Sequence, residues 1–361
     1  MYYCIVIKKT YIVSNRGTTN LKLHYLFLLN MKSSTFRYGE DQLSVGLALE
    51  LARSQKKGVF SPKTIKKILK SREDVQKIVA SGKTVYGINT GFGSLCTTLI
   101  SAEDTEELQY NLLKSHSVGL GELLDDEIVL LMLVLKIQAL AQGYSGISME
   151  TIERLLWHVE NQVVPLVPSQ GSVGASGDLA PLAHMALPLI GLGKVKYKGE
   201  VVETKVFLAA ENLAPIKLGA KEGLALINGT QFIAAHAVKA LEKAHICLES
   251  ADITGAFSIE AMLGSQKPFR EELHQIRPYK GTVHVAGRLR EILKDSETNT
   301  SHVDCKRVQD PYSLRCMPQV HGASRNAWLH LKELTTIEIN SVTDNPIILD
   351  EHNSISGGNF H

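Results

Sequence analysis

Gly174-Ala175-Ser176-Gly177-Asp178-Leu179-Ala180-Pro181-Leu182-Ala183-His184 is the stretch that decides how this chain folds. Its first half, Ala175-Ser176-Gly177, has minimal bulk and follows Gly171 and Gly174. Such a run bends tightly and brings its own backbone atoms close together. The second half reads as a helix. Asp178 is a good N-cap, and Leu179, Leu182, Ala183, Ala186 and Leu187 follow at helical spacing. Pro181 falls in the first turn, where a missing N–H costs nothing. The tripeptide is therefore expected at the positive end of a buried helix, a place that favours an anionic group. Taken alone, the run is most simply a glycine-rich loop entering a helix. A serine-hydrolase elbow, G-x-S-x-G, lacks its last glycine, with Asp178 in that place.

Outward from this loop the pattern is mostly helical. On the N-terminal side, helical spacing covers 41–55, 61–70, 73–81, 103–115, 127–142 and 149–161, and Pro165 and Pro168 then break the chain. Val85-Tyr86-Gly87-Ile88-Asn89-Thr90-Gly91-Phe92-Gly93 is a loop whose glycine spacing is not that of a G-x-G-x-x-G phosphate cradle. On the C-terminal side a helix is expected over 178–190. Residues 195–202 alternate around Lys198-Gly199 and predict a small hairpin. Asn228-Gly229-Thr230-Gln231 opens a helical pattern that runs to Gly264 without a proline, with Asn228 itself a possible N-cap. Globular helices average about 11–12 residues, so this length points to one rod of a helical bundle, extended by 283–293 and 322–340. Asn345-Pro346 breaks the bundle, and 347–355 reads as a second hairpin. The expected fold class is mainly α with small β hairpins. A domain bearing the Ala-Ser-Gly loop spans 31–225, and a helical-bundle domain spans 226–361. Residues 1–30 hold no continuous apolar segment or cleavage site and read as a disordered or artefactual tail, with Met31 as a plausible start.

Composition excludes several classes of function. The 361 residues carry 39 basic and 37 acidic side chains, a net charge of +2, and 44% are hydrophobic. That balance leaves no footprint for nucleic acid or an anionic membrane. The most apolar run, 128–135, stops at Lys136, far short of the about 20 residues of a membrane span. Cys4, Cys96, Cys247, Cys305 and Cys316 form no C-x-x-C pair, and no histidine sits in H-E-x-x-H. No metal and no disulfide framework are expected, and the cysteine usage fits the cytoplasm.

Five motifs, in order along about residues 31–361, together resemble the aromatic amino acid ammonia-lyases. Gly-Ser-Val-Gly-Ala-Ser-Gly-Asp-Leu-Ala-Pro-Leu-Ala-His is the most specific of them. The resemblance implies that Ala175-Ser176-Gly177 cyclises into a 4-methylidene-imidazol-5-one (MIO). The Gly177 nitrogen would attack the Ala175 carbonyl, two waters would leave, and Ser176 would become the methylidene. The residue types suit that chemistry: Gly177 has nothing to block its nitrogen, Ala175 crowds its carbonyl little, and Ser176 carries the leaving hydroxyl. The second motif, 85–93, resembles the loop of the catalytic tyrosine, here Tyr86. A tyrosinate is a base strong enough for a weakly acidic C–H. By the same resemblance Asn228 lies beside the MIO, Arg315 holds the substrate carboxylate with Gln309 and Tyr312 lining the same side, and Phe360 is an active-site aromatic. Arg315 brings a two-donor fork suited to a carboxylate. Gln309, Tyr312 and Arg315 recur every three residues, so one helical face can carry all three.

Within that family, the dipeptide on the helix after the tyrosine loop goes with substrate choice, and here it is Ser115-His116. The resemblance then implies L-histidine as substrate, with trans-urocanate and ammonia as products. An imidazole at 116 hydrogen-bonds another imidazole, as a Phe there would not. The competing readings are a lyase for phenylalanine or tyrosine, an aminomutase, or an inactive fragment. The resemblance also implies a homotetramer whose sites draw on more than one chain. Family chains are longer and continue into further bundle helices, one bearing a glutamate that faces the substrate ring. The chain is accordingly expected to be a C-terminal truncation.

Overall fold

The computed structural model describes residues 35–360 apart from Lys83, 92–99, 101–103 and 174–175. The stretch 1–30, Phe92-Gly93 and Ala175 thus lie outside the described residues. Among the described residues the order begins β1 (Phe36–Arg37), α1 (Val45–Ala52), β2 (Gly58–Val59), α2 (Pro62–Ala80), α3 (Thr105–His116) and β3 (Leu120–Leu123). It continues with α4 (Asp126–Leu140), α5 (Met149–Glu160), β4 (Val164–Pro165), β5 (Pro168–Gln170) and α6 (Leu179–Ala186), which a 3-10 turn at Leu187–Ile190 extends. Next are β6 (Lys194–Tyr197), β7 (Glu200–Glu203), α7 (Thr204–Ala210), α8 (Glu222–Ile227) and α9 (Gln231–Ala261). The last elements are α10 (Glu271–Gln275), α11 (Lys280–Ile292), α12 (Glu297–Thr300), α13 (Tyr312–Arg315), α14 (Met317–Glu338), β8 (Ile347–Ile348) and β9 (Ser354–Ile355). The fold is mainly α, as expected.

The strands are short and peripheral. The β6–β7 hairpin pairs Val195 with Val202, and β4 adds to its edge antiparallel. β8 and β9 make the second hairpin. The parallel β1–β2 pair and the β3–β5 pair were not legible, because each is a few residues paired across a long sequence gap.

Local chemistry explains several helix bounds. Ser44 Oγ accepts from the Leu47 N–H, so α1 starts at Val45 rather than at 41. The two helices expected over 61–70 and 73–81 are one. Ser61 caps it, Pro62 opens it, and Ile68, Val75 and Ile78 carry one apolar stripe straight through Ser71-Arg72. The helix expected at 322–340 begins earlier, at Met317, with Pro318 in its first turn. Residues 128–140 of α4 are all buried, the mark of a helix enclosed on every side.

Two cores are strung along α9. The larger packs Leu131, Leu135, Leu182, Leu226 and Ile227 around the first turns of α9, at Ala234, Ala235 and Val238. The second joins Ala256 and Ile259, near the far end of α9, to Phe269, Val285, Leu289, Leu314 and Met317.

Candidate active site

Ser176-Gly177, the described end of the Ala-Ser-Gly run, meets the rest of the molecule through Gly177. Its φ is +76°, and a Cβ there would stand 2.2 Å from the Gly229 carbonyl oxygen. Only glycine fits so close an approach in the left-handed region. Gly177 bridges Gly229, and the Asp178 N–H donates to the Gly229 oxygen at 2.8 Å. The turn is therefore docked on the peptide that follows Asn228.

Asp178 does occupy the N-cap position of α6, but its side chain does not cap that helix. Its Oδ2 accepts from the N–H groups of Phe232 (3.1 Å) and Ile233 (3.0 Å), and its Oδ1 from Ser172 Oγ (3.1 Å). It caps α9 instead. Burial is the largest influence on this carboxyl and holds it above the usual carboxylate range, against the pull of the three hydrogen bonds. Asn228, expected as a possible N-cap of the long helix, is the C-cap of α8, and Thr230 precedes α9. With Asp178 already serving the α9 N-terminus, the Asn228 amide is directed elsewhere: Nδ2 donates to the Asn345 oxygen at 2.7 Å.

The tyrosine loop and the Ser-His helix reach the same region. Gly87, with φ +72°, lies against Leu224 of α8 and Pro346, next to Asn345. The loop is pinned by Thr90 Oγ1, which accepts from the Gly87 N–H (3.1 Å), so Tyr86 is held beside α8. His116 ends α3. Its Nδ1–H donates to the Leu112 oxygen at 2.8 Å, which leaves Nε2 as the acceptor nitrogen of the neutral ring. Three residues on, the Gly119 N–H donates to His184 Nε2 (2.9 Å) on α6, tethering the end of α3 to the helix behind the Ala-Ser-Gly turn. The segment before Phe360 is tied in as well, because the Gly357 N–H donates to Asn345 Oδ1 at 2.7 Å.

Gln309, Tyr312 and Arg315 lie at the other end. Asp310 Oδ2 accepts from the Ser265 N–H (2.6 Å), just past the C-terminus of α9. Arg315 Cζ lies 4.0 Å from the Tyr312 ring centroid, and its buried Nε has no hydrogen-bond partner among the described residues. A cavity of about 650 Å³ opens beside Gln309, walled by Leu263, Arg290 and His302. At 1.5 Å per residue, the span from Phe232 to Ile259 separates the two groups by about 40 Å. Tyr86, His116, Ser176, Gly177 and Asn228 are thus gathered at one end of α9, with Gln309, Tyr312 and Arg315 at the other.

One residue of this region had no role in the sequence reading. Lys136 lies within the apolar helix α4, is 1% exposed, and donates to the Asn228 oxygen (2.5 Å) and the Ala225 oxygen (3.1 Å). Burial pushes its ammonium down to about 7, against the attraction of Asp344 and Asp178. The available signal was the charge itself, a lysine followed by further apolar residues.

Solved ammonia-lyases and aminomutases share this scaffold. Histidine ammonia-lyase from Trypanosoma cruzi matches with a TM-score of 0.81 at 37% identity, over 91% of this chain and 61% of that one. Tyrosine aminomutase from Streptomyces globisporus matches with a TM-score of 0.84 at 32% identity, over 91% of this chain and 65% of that one. Histidine ammonia-lyase from Sorangium cellulosum is 48% identical over 328 residues, 88% of this chain and 64% of the relative, so the chain spans under two thirds of that relative's length. Residues 43–361 match the aromatic amino acid lyase family, and the chain belongs to it.

Proposed function

We propose that this protein deaminates L-histidine non-oxidatively to trans-urocanate and ammonia. The observation that carries the reading is Ser115-His116, which ends a helix tethered through Gly119 and His184 to the Ala-Ser-Gly turn. The 48% identity to a histidine ammonia-lyase points the same way. The residues present suit an MIO: the Gly177 position admits no Cβ, and the turn opens α6, whose dipole would stabilise negative charge developing on an electrophile placed there. Ala175, Ser176 and Gly177 would form it, and it would supply an electrophile that no ordinary side chain offers.

The roles proposed for the remaining residues are those that the family resemblance implies, and their chemistry suits them. His116 Nε2 accepts a hydrogen bond from the substrate imidazole. Tyr86 Oη takes the β-proton. Asn228 orients the substrate beside the turn, and Phe360 adds an aromatic wall. Arg315 holds the carboxylate, helped by Gln309 and Tyr312. Because those three lie about 40 Å from Tyr86 within one chain, a neighbouring copy supplies them, and the family resemblance makes that assembly a homotetramer. No metal and no diffusible cofactor take part. Residues 31–225 then form the MIO-bearing part and 226–361 the bundle part. The cytoplasm is the proposed compartment, in keeping with scattered cysteines such as the free Cys247, Cys305 and Cys316.

Absorbance growth from the arylacrylate product, urocanate from L-histidine, cinnamate from L-phenylalanine or coumarate from L-tyrosine, tests the substrate. Preference for phenylalanine or tyrosine would refute it. The likeness to tyrosine aminomutase gives a second reading, in which chromatography finds a β-amino acid in place of an alkene. Intact mass should be two waters below the sequence mass. Ser176→Ala should abolish that loss and lower turnover by several orders of magnitude.

A further inference from the structure

We propose that Lys136 is a positioning residue for the Ala175-Ser176-Gly177 turn, its amino group clamping the Asn228-Gly229 peptide on which that turn is docked. The inference rests on the reading that this tripeptide cyclises.

The starting point is cost. A lysine enclosed on all sides of an apolar helix loses its hydration, and an unbranched apolar side chain of similar length would pack there at no such penalty. The Lys136 stem is surrounded by the large core, yet its Nζ ends on two carbonyl oxygens, Ala225 and Asn228, at the C-terminal end of α8. Those are among the carbonyls that a helix end leaves without intrahelical partners, and they carry the negative end of the helix dipole. Lys136 is therefore a helix C-cap supplied from another helix.

The cap stands one peptide from the docking point. Asn228 O is held by Lys136, Asn228 Nδ2 by Asn345, and Gly229 O receives the Asp178 N–H. Gly229 has φ +128°, a conformation that confers little stiffness of its own. With Lys136 removed, two buried acceptors lose their donor and the Asn228-Gly229 peptide is free to rotate. Rotation carries away the Gly229 oxygen that fixes Asp178, and with it the bridge to Gly177. Cyclisation needs the Gly177 nitrogen aimed at one carbonyl, so a loosened turn closes slowly. The charged groups around the Lys136 amine are Asp344 and Asp178, which favour its protonated form, and Lys221, which opposes it.

The test compares the chain as it stands with Lys136→Met, which keeps length and apolar packing, and Lys136→Gln, which keeps N–H donors on a shorter neutral arm. Three quantities are read: the fraction of chains lighter by two waters, amide hydrogen exchange across 228–233, and, where turnover is present, kcat and KM separately. For Lys136→Met we expect wild-type helical circular dichroism, incomplete water loss, faster exchange at 229–233, and kcat down about 100-fold with little change in KM, as a misplacement near 1 Å costs. Lys136→Gln should fall between. A folded Lys136→Met with complete water loss and wild-type exchange overturns the proposal. Should the Met variant not fold, Lys136→Gln decides by the same readouts, and a Gln variant matching the wild type overturns it. A wild-type chain that loses no water refutes the cyclisation reading instead, and the two failures are thereby told apart.

Discussion

Removing the Asp178 carboxylate should destabilise the chain, and removing only its charge should not. Asp178 is 5% exposed and satisfies two N–H groups of the first turn of α9. Asp178→Ala deletes both acceptors. Loss of an N-cap costs about 0.5–2 kcal/mol, and each buried N–H left unpaired about 1–3 kcal/mol. The Ile233 side chain is exposed and water reaches that turn, so the lower values apply. We expect about 2–3 kcal/mol for Ala. Asp178→Asn keeps a carbonyl oxygen for Phe232 and Ile233 and presents its amide to Ser172 Oγ. It also avoids burying a charge, so its cost should stay under about 1 kcal/mol.

The same argument fixes a pH dependence. Burial raises the Asp178 carboxyl above its unfolded value. Between the two values the native chain holds the proton more than the unfolded chain does, so stability from this group falls as pH rises through the window. It is fully present below the unfolded value. The Asn variant has no such loss and should gain on the wild type between acid and neutral pH. Urea unfolding followed by circular dichroism at both ends of that range measures the difference. An Ala variant within about 0.5 kcal/mol of wild type, or an Asn variant as damaged as Ala, would refute the capping role.

Two further outcomes can be checked directly. Gly177→Ala places a Cβ 2.2 Å from the Gly229 oxygen at a φ of +76°. It should abolish the two-water mass loss and cost at least about 1–2 kcal/mol, read by intact mass and urea midpoint. His158 is buried, with Nδ1 on the Arg154 oxygen, and burial lowers it to about 4. Unfolded, it binds a proton between that value and about 6.5, so stability should drop by about 3 kcal/mol as pH falls across that window, and His158→Gln should flatten the drop.

The elements that could be read from the sequence are those whose cause is local. The turn at 176–178 entering α6, the hairpin of β6 and β7, and the proline-free rod α9 each follow from small residues, alternation or helical spacing within the segment. What escaped has a distant cause. Asp178 looks like the cap of its own helix, and the α9 amides it serves are 54 and 55 residues on. Lys136 looks like the polar end of an apolar run, and its partner Asn228 is 92 residues away. Short helices such as α7 and α8 are too brief for periodicity to register: α8 is packed into the larger core, and Phe207 and Leu208 of α7 into a small cluster with Val163 and Val195. Clustering of Tyr86, His116 and Asn228 near one helix end was foreseeable only through family resemblance, because no pattern within any one segment links them.

The length of α9 constrains what a site here can be. Its 31 residues make a rod of about 46 Å. The Gly177–Gly229 bridge sits at one end and Asp310, bonded to Ser265, at the other. An amino acid substrate is several-fold shorter than that rod, so a single copy cannot place Arg315 on the carboxylate of a molecule that also touches Tyr86. A site using both groups requires the two ends of different rods to lie side by side. Ile246, Ile253 and Phe257 of α9 are exposed and spaced at i, i+7 and i+11, one stripe along the same helix. On α14, Leu331 and Leu334 are exposed as well. Burying such surface is worth about 25 cal/mol per Å² of apolar area. On the proposed site, the same packing of rods would cover these stripes and bring Arg315 to Gly177, so that assembly and completion of the site would be a single event.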